Sequence, residues 1–131
     1  MSNVPVDLKY THSDEWIRVN NDGTILMGIT DYAQNALGDM VFVEMQEAGQ
    51  TLEVDQECGV VESVKAASEV NMPVSGEIIE VNAAVEASPE VINTDPYGDG
   101  WLMKMKPVDT GSLDGLMDSV AYEAKLAASD H

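Results

Sequence analysis

From Glu15 to Lys106 the chain is a series of strand-like runs, most of them five or six residues long and closed by turn-forming residues. Runs this short read as strands of a mainly β chain, since none can bury a face alone. Glu15 to Asn20 alternates, with Trp16, Arg18 and Asn20 on one side and Ile17 and Val19 on the other. Asn21-Asp22-Gly23 is a turn signal and Thr24 to Gly28 resumes the run, which predicts a hairpin. Met40 to Met45, Gly59 to Val64, Val70 to Val74, Glu77 to Asn82 and Trp101 to Lys106 read as further strands. Turns are expected at Glu47-Ala48-Gly49 and Ser75-Gly76. Helix signals interrupt the β pattern twice. Thr30 is placed to cap a helix over 31–37 that Gly38 ends, and Ser88 before Pro89 predicts a capped helical turn. Asp95 to Gly100 is a loop by composition. After Pro107 the apolar spacing changes to three and four, at Leu113, Leu116, Met117 and Val120 and again at Tyr122 and Leu126. The expectation is a single domain over 1–131, with a β core over about 8–106 and a helical tail over about 112–128. A weak repeat relates Gly38-Asp39-Met40-Val41-Phe42-Val43 to Gly76-Glu77-Ile78-Ile79-Glu80-Val81, which would suit a two-sheet sandwich of approximate two-fold symmetry.

Charge narrows the function. The 131 residues carry 24 acids against 6 Lys and Arg, a formal net charge of -18. That balance argues against nucleic acid and against an anionic membrane surface, and favours brief, salt-sensitive encounters with basic proteins. An apolar content of 44 % argues against disorder. Cys58 is alone, so neither an internal disulfide nor a Cys-rich zinc site can form. His12 and His131 make no metal pair by spacing. Met1 to Tyr10 has neither an apolar secretory core nor the Arg and Ser of a transit peptide, and no run reaches the roughly 20 apolar residues of a membrane span. The expected location is the cytoplasm. No Ser-His-Asp set, Gly-rich phosphate loop or metal-ligand spacing appears, so the chain does not read as an enzyme.

One lysine stands out. Between Val41 and Glu80 there are nine acids and a single base, Lys65. It lies between two strand-like runs, in Glu62-Ser63-Val64-Lys65-Ala66-Ala67-Ser68-Glu69, at an expected hairpin turn ringed by carboxylates. Two readings fit these residues alone: a solvated turn lysine, or an amine held out for covalent attachment of a swinging cofactor. A tight turn suits the second role, because a modifying enzyme can engulf its tip without unfolding the sheet.

The segment from Glu62 through Val70, followed by Pro73-Val74-Ser75-Gly76-Glu77, resembles the family of glycine cleavage system H proteins, which are lipoyl carriers. Glu15-Trp16 agrees with that family, as do Gly28 through Gln34 and Leu37 through Val43. So do Ser88-Pro89-Glu90-Val91-Ile92-Asn93, Pro96-Tyr97 and Gly100-Trp101, and the resemblance runs from about Leu8 to about Lys125. It implies a mainly β fold, a barrel-sandwich hybrid of the lipoyl/biotinyl type. Two small antiparallel sheets would carry short peripheral and C-terminal helices. It implies that Lys65 carries lipoate in amide linkage. Glu62, three residues before, and Gly76, eleven after, would help a lipoate ligase or lipoyl transferase read the hairpin. A cleft of Ser13, Glu15 and Glu69 would hold the ammonium of the loaded arm.

The implied role is a shuttle that carries the aminomethyl group of glycine from glycine decarboxylase to an aminomethyltransferase. The dihydrolipoyl arm would then go to dihydrolipoyl dehydrogenase. The carrier supplies tethering and protection rather than bond-making groups. Asp14 departs from the family, which often has His there, and Met72 precedes Pro73 where a smaller residue is usual.

Two lookalike motifs point elsewhere. Met103-Lys104-Met105 is the tripeptide modified in biotin carriers, but Trp101 before it and Pro107 after it make it the last strand, with the lysine head in solvent. Asp118-Ser119 is reminiscent of the phosphopantetheine site of acyl carriers, which are all-helical, and here reads as a helix cap. Two rivals to the shuttle stay open at this level. One is a lipoyl relay protein of the same family that donates lipoate to other carriers. The other is an acidic interaction module whose Lys65 is never modified.

Overall fold

A computed structural model describes residues 4–129, so His131 lies outside the described residues. Among the described residues nine strands form two antiparallel sheets. The first strands are β1 (Lys9–Tyr10), β2 (Glu15–Val19), β3 (Ile25–Ile29), β4 (Met40–Met45) and β5 (Thr51–Leu52). They are followed by β6 (Glu57–Ser63), β7 (Ala67–Asn71), β8 (Gly76–Val81) and β9 (Met103–Pro107). One sheet has six strands in the order β1-β2-β3-β9-β8-β5, and the other has three in the order β4-β6-β7. Four short helices accompany them: α1 (Asp31–Leu37), α2 (Ala83–Ala87), α3 (Val91–Thr94) and α4 (Ser119–Ser129), with a 3-10 turn over Thr110–Gly115. This is the expected mainly β architecture of two packed sheets with peripheral and C-terminal helices.

The main core joins both sheets. Ile17, Ile25, Met27 and Met105 from the larger sheet share one buried cluster with Val43, Val61 and Val70 from the smaller. A second cluster of Leu8, Tyr10, Trp16, Tyr122 and Leu126 seats α4 on the start of the larger sheet. There the Tyr10 and Tyr122 rings stack at 4.6 Å and 5°. Tyr10 and Met117 also exchange backbone hydrogen bonds of 2.8 and 2.9 Å.

The blocks of family resemblance meet in space. Trp16 pairs with Gly28 across the β2–β3 hairpin, and a Cβ on Gly28 would fall 2.7 Å from the indole nitrogen. That nitrogen donates to the Pro96 carbonyl at 2.8 Å. The next residue, Tyr97, accepts the Asp31 N–H on its hydroxyl at 2.9 Å. Thr30 caps α1 by accepting from the Ala33 N–H, and Gly38 ends the helix at φ +92°.

Several local expectations need correction. The strand expected over 70–74 is β7, Ala67–Asn71, because the antiparallel partners of β6 begin immediately after the lysine turn. Ser75-Gly76 is not a turn: Gly76 opens β8 and pairs with both Leu52 and Pro107. Ser88 does not cap the helix that follows it. It ends α2, whose N-cap is Asn82, and α3 starts without a side-chain cap. The strict alternation of β2 also fails, since Trp16 and Ile17 are both fully buried and Val19 is 49 % exposed. The two-residue strands β1 and β5 and the helix α2 carry too little periodicity to be read. The repeat relates β4 and β8, which lie in different sheets, and it does not extend to the lysines: Lys65 is at a hairpin tip while Lys104 lies within β9, paired with Leu26 and Glu80. At the other lookalike, Asp118 caps α4 by accepting from the Ala121 N–H at 2.8 Å.

Gly76 has a steric reason to be glycine. A Cβ there would collide with the Met105 methyl and fall 2.5 Å from the Lys106 carbonyl oxygen. Gly76→Ala is therefore expected to destabilise the fold by about 1–3 kcal/mol in urea unfolding. Gly115→Ala, with nothing within 4 Å of its Cβ position, should stay within about 0.5 kcal/mol of wild type.

Candidate functional site

The strands β6 and β7 pair up to Glu62 and Ala67 and leave Val64, Lys65 and Ala66 as the turn. Ser63 builds that turn. Its N–H donates to the Ala66 carbonyl at 2.7 Å, and its hydroxyl oxygen accepts from the N–H groups of Lys65 and Ala66 at 3.3 and 3.1 Å. The tip is fastened to the chain below through the Val64 N–H, which donates to the Asp39 carbonyl at 3.1 Å. Asn93 braces that lower segment: it donates to Gln34 Oε1 and to the Gly38 carbonyl, and it accepts from the Met40 N–H, each at 2.9 Å. So the α3 segment, far off in sequence, stiffens the base of the lysine turn.

Lys65 itself is exposed, and its Cε lies 3.7 Å from where a Gly38 Cβ would stand. The carboxylates near it in sequence do not close on it. Among the described residues Lys125 pairs with Asp14 at 3.3 Å and His12 Nε2 lies 3.4 Å from Asp55, and neither contact involves Lys65. Glu62 is exposed on β6, opposite Phe42 and Ala67. Gly76 is placed in the other sheet.

Ser13, Glu15 and Glu69 line one cavity of about 170 Å³, together with Asp14 and the α1 residues Tyr32 and Leu37. Ser68 and Val61 of the lysine hairpin complete its wall. The three residues differ in setting. Glu69 is exposed, Ser13 is half-buried, and Glu15 is only 2 % exposed. Glu15 Oε1 accepts the Thr11 hydroxyl at 2.6 Å, and Oε2 accepts the Asn71 N–H of β7 at 3.2 Å. Burial raises its carboxyl pKa to about 7, against the pull of those two hydrogen bonds, with Asp14 and Asp55 adding smaller repulsions. The loop before it is folded by Thr11, whose hydroxyl oxygen accepts from the N–H groups of Ser13 and Glu15 at 3.2 and 3.1 Å. A second cavity of about 250 Å³, bounded by His12, Asp55 and Met72, reaches Glu15 from another side. A hollow of about 450 Å³ between Glu44, Glu47 and Glu57 lies at the opposite end of β6 from the lysine turn. Cys58, buried beside Glu15 and donating to the Val70 carbonyl at 3.3 Å, is an inert thiol, its pKa pushed up to about 12 by burial.

Sequence reasoning missed Thr11, the placement of Asp14 (noted only as a departure from the family), Ser63 and the Asn71 N–H. The first three sit in short polar runs with Ser/Thr/Asp at turn spacing, a visible signal of side-chain-to-backbone bonding. A backbone donor such as Asn71 leaves no trace in sequence.

The raised Glu15 pKa makes stability depend on pH. Unfolded Glu15 loses its proton near its ordinary value of about 4.5, whereas folded Glu15 keeps it until about 7. Between these limits the native state binds more protons, so this group's contribution falls as pH rises and is constant above about 7. Glu15→Gln is expected to remove a loss of up to about 3 kcal/mol over that window. Urea unfolding at pH 4.5 and pH 7.5 checks the difference between the two proteins.

The family model described as Glycine cleavage H-protein matches residues 8–129. The glycine cleavage system H protein of Halorhodospira halophila is 54 % identical over 127 residues, covering 97 % of this chain and 98 % of that protein. That of Escherichia coli is 53 % identical over 126 residues, covering 96 % and 98 %. The crystal structure of a glycine cleavage system H protein from Mycobacterium marinum superposes with a TM-score of 0.87 at 40 % identity, over 95 % of this chain and 99 % of that one. On a family-model match over residues 8–129 and relatives more than half identical over nearly all of its length, this chain belongs to the glycine cleavage H-protein family.

Proposed function

We propose that this chain is a single-domain lipoyl shuttle of the glycine cleavage system, modified on Lys65 and working in the cytoplasm. It is a carrier component rather than a catalyst. The observation that carries this reading is the cavity of Ser13, Glu15 and Glu69 walled by the same hairpin that holds out Lys65. The residues present suit an amide-linked lipoate. Lys65 offers an exposed primary amine on a turn fixed by Ser63, which a lipoate ligase or lipoyl transferase can enclose. Glu62 on the flanking strand and Gly76 in β8 are the positions proposed for that recognition.

Lipoate supplies a disulfide that accepts the aminomethyl group released when glycine loses carbon dioxide. The protein's own part is to keep the cargo amine protonated, because only a free amine lone pair can expel the thiolate and let water take the carbon as formaldehyde. Ser13 and Glu15 bind the ammonium, and Glu69 assists from the rim. Glu15 is suited to this because it gives up its proton on meeting a cation: burial favours its neutral form, and a neighbouring ammonium restores the charged one. Glycine decarboxylase, the aminomethyltransferase and dihydrolipoyl dehydrogenase are the proposed partners. The net charge of -18 steers docking onto less acidic surfaces.

Peptide mapping of protein expressed with lipoate should find the modification on Lys65 alone. Lys65→Arg should abolish it, and modification at Lys104 would overturn the assignment. Loaded Glu15→Gln should release formaldehyde about tenfold faster than wild type, a barrier change of about 1.4 kcal/mol, while Glu69→Gln, at an exposed site, should change it about two- to threefold. If both hold the cargo as long as wild type, the protein is only a tether. The apparent affinity for glycine decarboxylase should weaken steadily with added salt while the fold is unchanged, as screening shortens the reach of charge to roughly 8 Å at physiological ionic strength.

A further inference from the structure

Asp14, which stands where the family often has His, is placed by unusual means. Its backbone adopts φ +68°, a left-handed conformation that few residues other than Gly, Asn and Asp take up readily. Bonds on both sides hold it there: the Thr30 N–H donates to its carbonyl at 3.0 Å, and its own N–H donates to the Thr11 carbonyl at 3.3 Å. One carboxylate oxygen, Oδ1, accepts the Tyr122 hydroxyl at 3.0 Å and the Lys125 ammonium at 3.3 Å, both from α4. The same residue lines the cavity of Ser13, Glu15 and Glu69. A carboxylate at the cavity wall is thus tethered to the C-terminal helix.

The tether is poorly suited to be a stability device. The two side chains keep 26 % and 32 % of their exposure, a setting in which an ion pair contributes little to folding. Its field is another matter. Asp14 adjoins Glu15 in the chain and raises the cost of ionising it, so whatever neutralises Asp14 alters how readily Glu15 takes its charge.

We propose that Asp14 is a further carboxylate for the cargo ammonium, and that Lys125 is a positioning residue that holds Asp14 at the cavity wall and sets how much of its charge reaches Glu15. This rests on the ammonium-holding cavity described above and adds the helix that adjusts it. Other groups bear on Glu15 as well. Thr11 and His12 come from its own loop, Asp55 from the turn before β6, Cys58 from β6, and Glu69 with the Asn71 N–H from β7. Among the described residues no recorded hydrogen bond or ion pair joins these groups to α4, whereas Asp14 has two such contacts with it. Tyr122 shares Oδ1 and passes the same tether to Thr30, whose hydroxyl lies 2.7 Å from the tyrosine oxygen.

The test uses the full chain, without and with the loaded arm. The Glu15 side-chain carboxyl carbon is titrated by NMR in wild type, Asp14→Asn, Lys125→Met and Lys125→Arg. Asp14→Asn should lower the Glu15 midpoint by about half a pH unit and Lys125→Met should raise it by about as much, while Lys125→Arg should titrate as wild type. A merely structural role would move the first two variants in one direction. Shifts of the same sign, or none, overturn the proposal. With the arm loaded, Asp14→Asn should release formaldehyde about threefold faster than wild type. If Asp14→Asn holds cargo as long as wild type while Glu15→Gln loses it, the ammonium role of Asp14 is overturned. If Glu15→Gln also holds it, the cavity reading has failed, and the NMR midpoints still decide the Asp14–Lys125 coupling.

Discussion

The carboxylate of Glu15 ties the two sheets together. It belongs to β2 of the larger sheet, yet one of its oxygens is held by the N–H of Asn71 on β7 of the smaller. The other is held by Thr11, which folds the loop in front of it. A buried carboxyl left without these donors would carry a desolvation cost of several kcal/mol, so the pair of donors is what lets an acid occupy this place. Because β7 is the returning strand of the lysine hairpin, the same bond fixes the hairpin relative to the cavity. Ser13 and Asp14 lie in the loop that Thr11 organises, and Glu69 lies two residues before Asn71. Much of the cavity wall is therefore set by one buried acid and its two donors.

The lysine turn depends on a different set of contacts, and these are insensitive to charge. Ser63 closes it, the Asp39 carbonyl anchors it, and Asn93 holds the end of α1 and the start of β4 beneath it. As the proposed attachment site, Lys65 needs exposure and a stiff base, and its side chain needs nothing else from the protein. The division is physically sensible. An amine that must enter a modifying enzyme should be free of strong partners, since each ion pair broken on docking would weaken the encounter. Glu62 and Glu69 flank the turn at exposed positions, where they contribute to the overall field without immobilising the lysine.

Legibility in the sequence followed the length scale of each interaction. Elements fixed by neighbours in the chain were readable: Thr30 and Gly38 bound α1, and the Asn21-Asp22-Gly23 signal lies between paired β2 and β3. Elements fixed by distant partners were not. The two-residue strands β1 and β5 exist because β2 and β8 offer them an edge, and no pattern of two residues can announce that. The constraint on Gly76 is a close approach by β9, a contact with a strand some thirty residues away in the chain, and no local pattern identifies that partner. For the site, the resemblance supplied Lys65, Ser13, Glu15 and Glu69, and the residues alone singled out Lys65 by its isolation among acids. The difference between buried Glu15 and exposed Glu69 is a tertiary fact, and so is the reach of Tyr122 and Lys125 back to Asp14 from more than a hundred residues away.

A shuttle must hold its cargo against water and yet yield it to the next enzyme, and a permanently ionised acid would serve only the first need. A cavity built around a fully charged carboxylate would grip an ammonium with most of the strength of a dehydrated ion pair. Glu15, with burial raising its pKa to about 7, is different. Near neutrality part of its population is protonated when the cavity is empty, so in the proposed role binding an ammonium would first have to ionise it, and that cost would be subtracted from the affinity. Emptying the cavity returns the proton and recovers the cost. The acid therefore weakens its own hold by an amount that its surroundings set. Those surroundings act in opposite senses: the Thr11 and Asn71 donors favour the charged form, while burial and the neighbouring acids favour the neutral one. A helix tethered to one of those neighbours through an ammonium and a phenol would, in the proposed arrangement, adjust that balance without touching the cargo.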